Sequence, residues 1–368
     1  MPIETKGPFA LTFCNLSAPL PDDYLARLNQ GAAGKLDNVK DEPEIAWVSG
    51  RHLLETEIDE NTSILGGHLH INLRKAERKI PSSLLSAICR RDELAYMLAN
   101  QTAVVPRQMK KQIKEEAIEK NLMKMPPTIG ATTVAVNRAF NEMYAVTGSQ
   151  KVMDTIVSGF IKDLDMEPIP VTINEMMIRF YKEEANALPN IIFGGKTNSA
   201  GMDPTPGRDF LTWLWYISEV DGGALDLGEW GSFQLGIEGP LVFGFSSGEA
   251  QGAEESVVKK GCPQLSAEAK AALAVGKKLK RAKLLLVRDQ EVWTFTFDAD
   301  KFTFSGVNLP EGEENEPNSL FEERVMFLHI MKLAFEGYFK KFVDTVTGPD
   351  RAAFERDVRK WASERESY

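Results

Sequence analysis

Glu77-Arg78-Lys79 follows an alternating apolar segment and forms the Glu-x-Lys arrangement used by metal-dependent nucleases. In that chemistry carboxylates hold a Mg²⁺ ion that activates water and neutralises transition-state charge, while the lysine positions the nucleophile. A further acidic ligand is needed, and the sequence does not single one out. The surrounding "RKAERK" serves equally well as a basic stretch facing phosphates. "GGKTNS", from Gly194 to Ser199, imitates a phosphate-binding loop, but Asn190 stands where that motif requires its first glycine, so the reading is rejected. His68 and His70 share one strand face, with His52 upstream. No Cys or carboxylate lies at a ligand spacing from them, so solvated or core histidines are expected. His329 falls in a core-type helix with no evident partner. Nucleophile elbow, HExxH and dinucleotide fingerprints are absent.

What remains is charge. The chain has 368 residues and a formal net charge of -10, yet Gly276 to Asp298 places six basic residues before its first acid. From Arg74 to Lys124 there are 12 basic and 6 acidic residues, and from Glu254 to Arg288 there are 9 and 3. The surplus acid therefore lies elsewhere, as it would in an anionic protein carrying a cationic footprint. Lysine-rich contacts of this kind neutralise phosphates and release counterions without reading bases. The candidate DNA contacts are Arg74, Lys75, Arg78 and Lys79, then Lys110, Lys111 and Lys114, and finally Lys259, Lys260, Lys277, Lys278, Lys280, Arg281 and Lys283. On the last segment, alternation sends Lys278 and Lys280 to one face and Arg281 and Lys283 to the other.

The elements that must position these residues indicate an α+β fold. Strands are expected at "FALTFCNLS", "EIAWVS" and "ILGGHLHINLRK", with a short helix after Pro21. Residues 81–127 form an inserted helical arm broken near Pro106 and stopped by Pro126-Pro127, with Gly130 freeing the turn. A hairpin turning at Asn141-Glu142 leads into a helix with Val152, Ile156, Phe160 and Leu164 on one face, and "MEPIPVTI" then leaves the lobe. This gives a central lobe over 8–80 and 128–172. A second lobe over 173–346 contains an aromatic core helix around Trp213, a helix capped by Ser266, and a β-meander packed on a long helix whose stripe runs from Phe321 to Val346. A charged, separable tail fills 347–368.

No run approaches the length of a membrane span, and the N-terminus lacks a signal pattern. Cys14, Cys89 and Cys262 are too scattered for a zinc ribbon or disulfide framework. A cytoplasmic protein without membrane partner, cofactor or metal is expected.

Taken in order, "EIAWVS", "RKAERKIPSSLL", "KQIKEEAIEKNLMKMP", "VMDTIVSGFIKDL", "EPIPV", "VVKKGCPQLSAEAKAALAVGKKLKRAKLLL" and "VWTFTFDADKFTFSGVNL" resemble the bacterial recombination-associated protein RdgC family over about residues 8–346. The likeness is weakest at roughly 180–250. It implies a non-catalytic, nucleoid-associated, ring-shaped homodimer that encircles double-stranded DNA and restrains RecA-type recombinase. It also implies a horseshoe-shaped subunit with the arm as its tip and the second lobe as its base. Lys259, Lys260 and Gly276 to Lys283 would lie near the inner rim. The family's aromatic residue in the loop after the arm is replaced here by Met125-Pro126-Pro127, the expected dimer contact. A Mg²⁺-dependent exonuclease using Glu77 and Lys79 is the alternative.

Overall fold

The computed structural model describes residue 3 and residues 7–194, 204–245 and 253–368. The first part contains β1 (Phe9–Asn15), α1 (Tyr24–Gln30), β2 (Glu44–Ser49), α2 (Glu60–Ser63), β3 (Ile64–Leu65) and β4 (His68–Glu77). The arm is α3 (Ser82–Ala99) and α4 (Arg107–Asn121). Then come β5 (Thr128–Asn137), β6 (Glu142–Ala145), α5 (Gln150–Leu164), β7 (Ile169–Pro170), α6 (Ile173–Tyr181) and α7 (Pro206–Val220). The remainder is β8 (Leu225–Asp226), β9 (Ser232–Gly244), β10 (Glu255–Val258), α8 (Ala267–Ala274), β11 (Lys278–Arg288), β12 (Glu291–Asp298), β13 (Thr303–Asn308), α9 (Pro317–Thr347) and α10 (Arg351–Glu364).

The fold is α+β, and one antiparallel sheet runs through it in the order β10-β9-β11-β12-β13-β1-β6-β5-β4-β2. β1 joins its two ends: Phe9 and Leu11 pair with Val307 and Phe304 of β13, whereas Thr12 to Asn15 pair with β6. The expected boundary at residue 172 is therefore not a break in the sheet. "MEPIPVTI" does not leave the first part either, because Ile169 and Pro170 pair with Asn15 and Cys14.

Alternation along the strands sorts side chains to two cores. Leu69, Ile71, Leu73, Val134 and Val136 meet α1 and α5 on one face. Of the expected α5 stripe, Ile156, Phe160 and Leu164 are buried, with Met153 taking the place of Val152. Gly159 lets Trp47 close on this helix, since a Cβ there would stand 2.8 Å from the indole, whose Nε1 donates to Asp163. The other core is aromatic. Phe335 of α9 packs edge-on to Phe295, Phe297 and Phe304 of the meander, and Phe210 of α7 meets Phe342. Every stripe residue expected on α9 is buried, each contributing about 1.5–3 kcal/mol of gross burial.

Three local expectations are corrected. Ile64 to Lys75 is not one strand, because Gly66 and Gly67 take φ of +53° and +75° and turn the chain between β3 and β4. Gly130 lies within β5 opposite Lys75 rather than in a turn. The tail is no detached piece: α10 sets Phe354, Val358 and Ala362 into the aromatic core. No helix among the described residues is long and apolar enough to cross a membrane.

Candidate nucleic-acid interface

The basic ribbon of β11 is shaped by a bulge. Leu279 pairs with Phe243 and Arg281 with the adjacent Val242, leaving Lys280 as the extra residue. The bulge resets the alternation, so Lys278 turns inward while Lys280, Arg281 and Lys283 all remain part-exposed or exposed. The expected division into two pairs is thereby corrected. Each outward cation meets acid from a neighbouring segment: Lys280 lies 3.0 Å from Glu255, Arg281 2.9 Å from Asp298, and Lys283 2.8 Å from Glu238. The local field is close to neutral, and a phosphate arriving here would have to displace carboxylates.

Lys277 and Lys278 are buried, which removes both from the set of phosphate contacts. The Lys277 ammonium donates to Ser256 and lies over the Phe245 ring. The Lys278 ammonium is 2.5 Å from Asp209 and from Asn190. Burial pushes the Asp209 carboxyl up to about 6 against the pull of Lys278. In the P-loop-like stretch, all but Gly194 lie outside the described residues.

Arg74 is a second correction. It is 1% exposed, donates to the carbonyls of Leu53 and Gly34, and pairs with Glu44 at 2.9 Å. Arg78 is likewise occupied, binding the carbonyls of Val39, Asp37 and Met125. It thus ties the end of the arm to the root of the sheet. Met125, Pro126 and Pro127 accordingly sit at the arm's root beside Arg78, and the turn between α3 and α4 is its far end. Lys75 is exposed but pairs with Glu77 at 2.7 Å, and that contact holds the Glu77 carboxyl below its ordinary range. Among the described residues no set of three His, Cys, Asp or Glu side chains able to hold a metal is found, around Glu77 or elsewhere.

Other cations have no acid partner among the described residues. Lys79 is exposed and makes no ion pair, acting on Glu77 only at longer range, while Lys259 and Lys260 are exposed and unpaired, as are Arg107, Lys110 and Lys114 on α4. Spacings of three and four residues bring Arg107, Lys110, Lys111 and Lys114 to one side of α4. Lys111 alone has an acid nearby, Glu115 at 3.6 Å. Glu116 and Lys120 pair with each other further round the helix. The helix therefore offers a basic stripe in which no acid among the described residues neutralises Arg107, Lys110 or Lys114.

The facing helix, α3, buries none of its 18 residues. Leu85, Ile88, Cys89 and Met97 are half-covered by α4, while Leu84, Leu94 and Leu98 stand exposed, Leu98 by 81%. These three leucines share one side of α3 and leave it apolar and uncovered by the described residues.

The histidines belong to no metal-binding set among the described residues. His52 is exposed and accepts from the Leu54 N–H, while His68 and His70 are buried. Burial pushes His70 down to about 4, and its ring lies 4.9 Å from that of Phe321. His329 does have a partner, contrary to expectation: its Nδ1 is 2.8 Å from Glu142. From there a buried chain of charge continues. Lys332 bridges Glu142 and Glu336, Arg179 bridges Glu336 and Glu175, and Asn15 donates to Glu175. Burial alone would raise the Glu142 carboxyl, but His329, Lys332 and Tyr144 together hold it below its ordinary value. Sequence reading missed this network. Its linear traces are two ionic pairs four residues apart, Lys332-Glu336 on the helix that carries the apolar stripe and Glu175-Arg179 on α6.

No family model matches the chain, and no curated protein matches it.

Proposed function

We propose that this chain binds double-stranded DNA without sequence preference, as a ring-forming homodimer that restrains a RecA-type recombinase in the cytoplasm, on the nucleoid. The observation that carries the reading is the unneutralised stripe Arg107, Lys110 and Lys114 on an arm whose other helix leaves Leu84, Leu94 and Leu98 uncovered. Such cations gain affinity by releasing counterions from phosphates, and the apolar edge suits a second copy of the arm. Lys79, Lys259 and Lys260 would add phosphate contacts, with Lys75 behind them. The restraint of recombination rests on the resemblance to the RdgC family.

The test combines sedimentation velocity with fluorescence anisotropy on two duplexes of unrelated sequence at low salt. A dimer binding both duplexes equally is expected. No binding at low salt, or a tenfold preference for one duplex, would overturn the proposal. Shortening of linear DNA with Mg²⁺ that is lost in Glu77→Ala would overturn its non-catalytic part.

A further inference from the structure

Where β1 exchanges β13 for β6 and β7, a cavity of 670 Å³ opens between α5, α6 and the turn joining β12 to β13. That volume suits a small molecule. Its walls are mainly apolar, with Leu16, Met153 and Val171 inside and Ile169 and Ile178 at the rim, 44% and 48% exposed. Water against those apolar side chains finds few partners, so an apolar body that replaces it there is favoured, while Asn15, Gln150 and Asn174 supply polar groups elsewhere in the lining.

Three charged side chains line the cavity, and two are already committed. Glu175 accepts from Asn15 at 3.0 Å and pairs with Arg179 at 2.7 Å, while Arg179 also holds Glu336. Lys301 is exposed; its backbone N–H donates to Asp298, but its ammonium has no partner among the described residues. The lining thus pairs an apolar floor with one uncompensated positive charge.

We propose that this cavity binds a soluble amphipathic anion, with its apolar body between Met153 and Ile178 and its anionic head at Lys301. It is separate from the proposed DNA-binding surface, since none of the candidate DNA contacts lines it.

The probe is 1-anilinonaphthalene-8-sulfonate, followed by fluorescence on the full chain, with decanoate and decanol as competitors. One saturable site is expected, displaced by decanoate about tenfold more effectively than by decanol. Lys301→Ala should weaken it about tenfold, as loss of a charge-assisted contact does. Ile178→Asp should abolish it. Both positions are exposed, so folding should survive, and matched circular dichroism melts verify that. Lys301→Glu is the second variant and should bind more weakly than Lys301→Ala. Because the dye also favours exposed apolar surface, Val220→Ser at the end of α7, 60% exposed and outside the cavity and the arm, is the control and should leave the signal intact. Binding that persists in Ile178→Asp, disappears in Val220→Ser, or yields equally to decanol would overturn the proposal.

Discussion

Replacing Arg107, Lys110 and Lys114 together by alanine separates charge that is present from charge that is available. These three cations have no acid partner among the described residues, so each is counted as one neutralised phosphate. Three contacts at about 0.9 of a counterion each reduce the slope of log K against log salt by about 2.7, and between about 50 and 200 mM salt the lost contribution is about 40-fold in affinity. The parallel variant replaces Lys280, Arg281 and Lys283, which face Glu255, Asp298 and Glu238 at 2.8–3.0 Å. Since those charges are already balanced within the chain, its slope should change by less than about one unit. Surface pairs of this type contribute only about 0–1 kcal/mol each, so both proteins should remain folded. The assay is fluorescence anisotropy with one labelled duplex over a salt series. A large slope change in the ribbon variant with none in the arm variant would refute the reasoning that internal pairing silences the ribbon.

Lys332→Met leaves Glu142 and Glu336 buried without their shared ammonium, and should cost about 3–5 kcal/mol in urea unfolding; a cost under about 1 kcal/mol would contradict the network. Leu94→Ser with Leu98→Ser alters only exposed side chains, so unfolding midpoints should hold while sedimentation shifts from dimer to monomer. His70 is held neutral, with its pKa lowered to about 4 by burial. The unfolded chain takes up that proton first, near pH 6.5, so stability is lost as pH falls from about 6.5 to about 4, by at most about 1.4 kcal/mol per unit. Denaturant midpoints at pH 7 and pH 5 should therefore lie closer together in His70→Gln than in the parent. Gly159→Ala should destabilise by about 1–3 kcal/mol in spite of its better helix propensity, because the methyl meets Trp47; a raised melting temperature would refute that packing.

Much of the fold was legible because its signals are local. The period of α9, the Ser266 cap, whose side chain accepts from the Ala269 N–H, and the turn at Asp289 between β11 and β12 all announce themselves within a few residues. The break between α3 and α4 is announced in the same way. What stayed hidden depends on neighbours far away in sequence. Net charge along a strand says nothing of Glu238 or Asp298 across the ladder, so the β11 ribbon looked free and is paired. The bulge at Lys280 is a property of the β9–β11 register and is invisible in either strand alone. Arg74 and Lys79 look alike in "RKAERK". Only the packed loops at Gly34 and Leu53 reveal that the first is a structural tie and the second is exposed. On the arm the count of charge pointed to Lys110, Lys111 and Lys114, which α4 brings to one side together with Arg107. The uncovered edge of α3 emerged only once its packing partner was known.

The placement of β1 also governs how the molecule can be made. Its partners are Ala145 to Glu142 on one side and, on the other, β7 at Cys14 and Asn15 and β13 at Phe9 and Leu11, so on the ribosome Phe9 and Leu11 gain their neighbour only when synthesis has passed β13. Until then the Phe9–Leu11 part of β1 has no strand partner, and contacts of such long sequence separation form slowly. The nascent first part is thus a half-finished sheet, and a chaperone that shields the Phe9–Leu11 edge during translation would increase the yield of folded protein more than one acting after release.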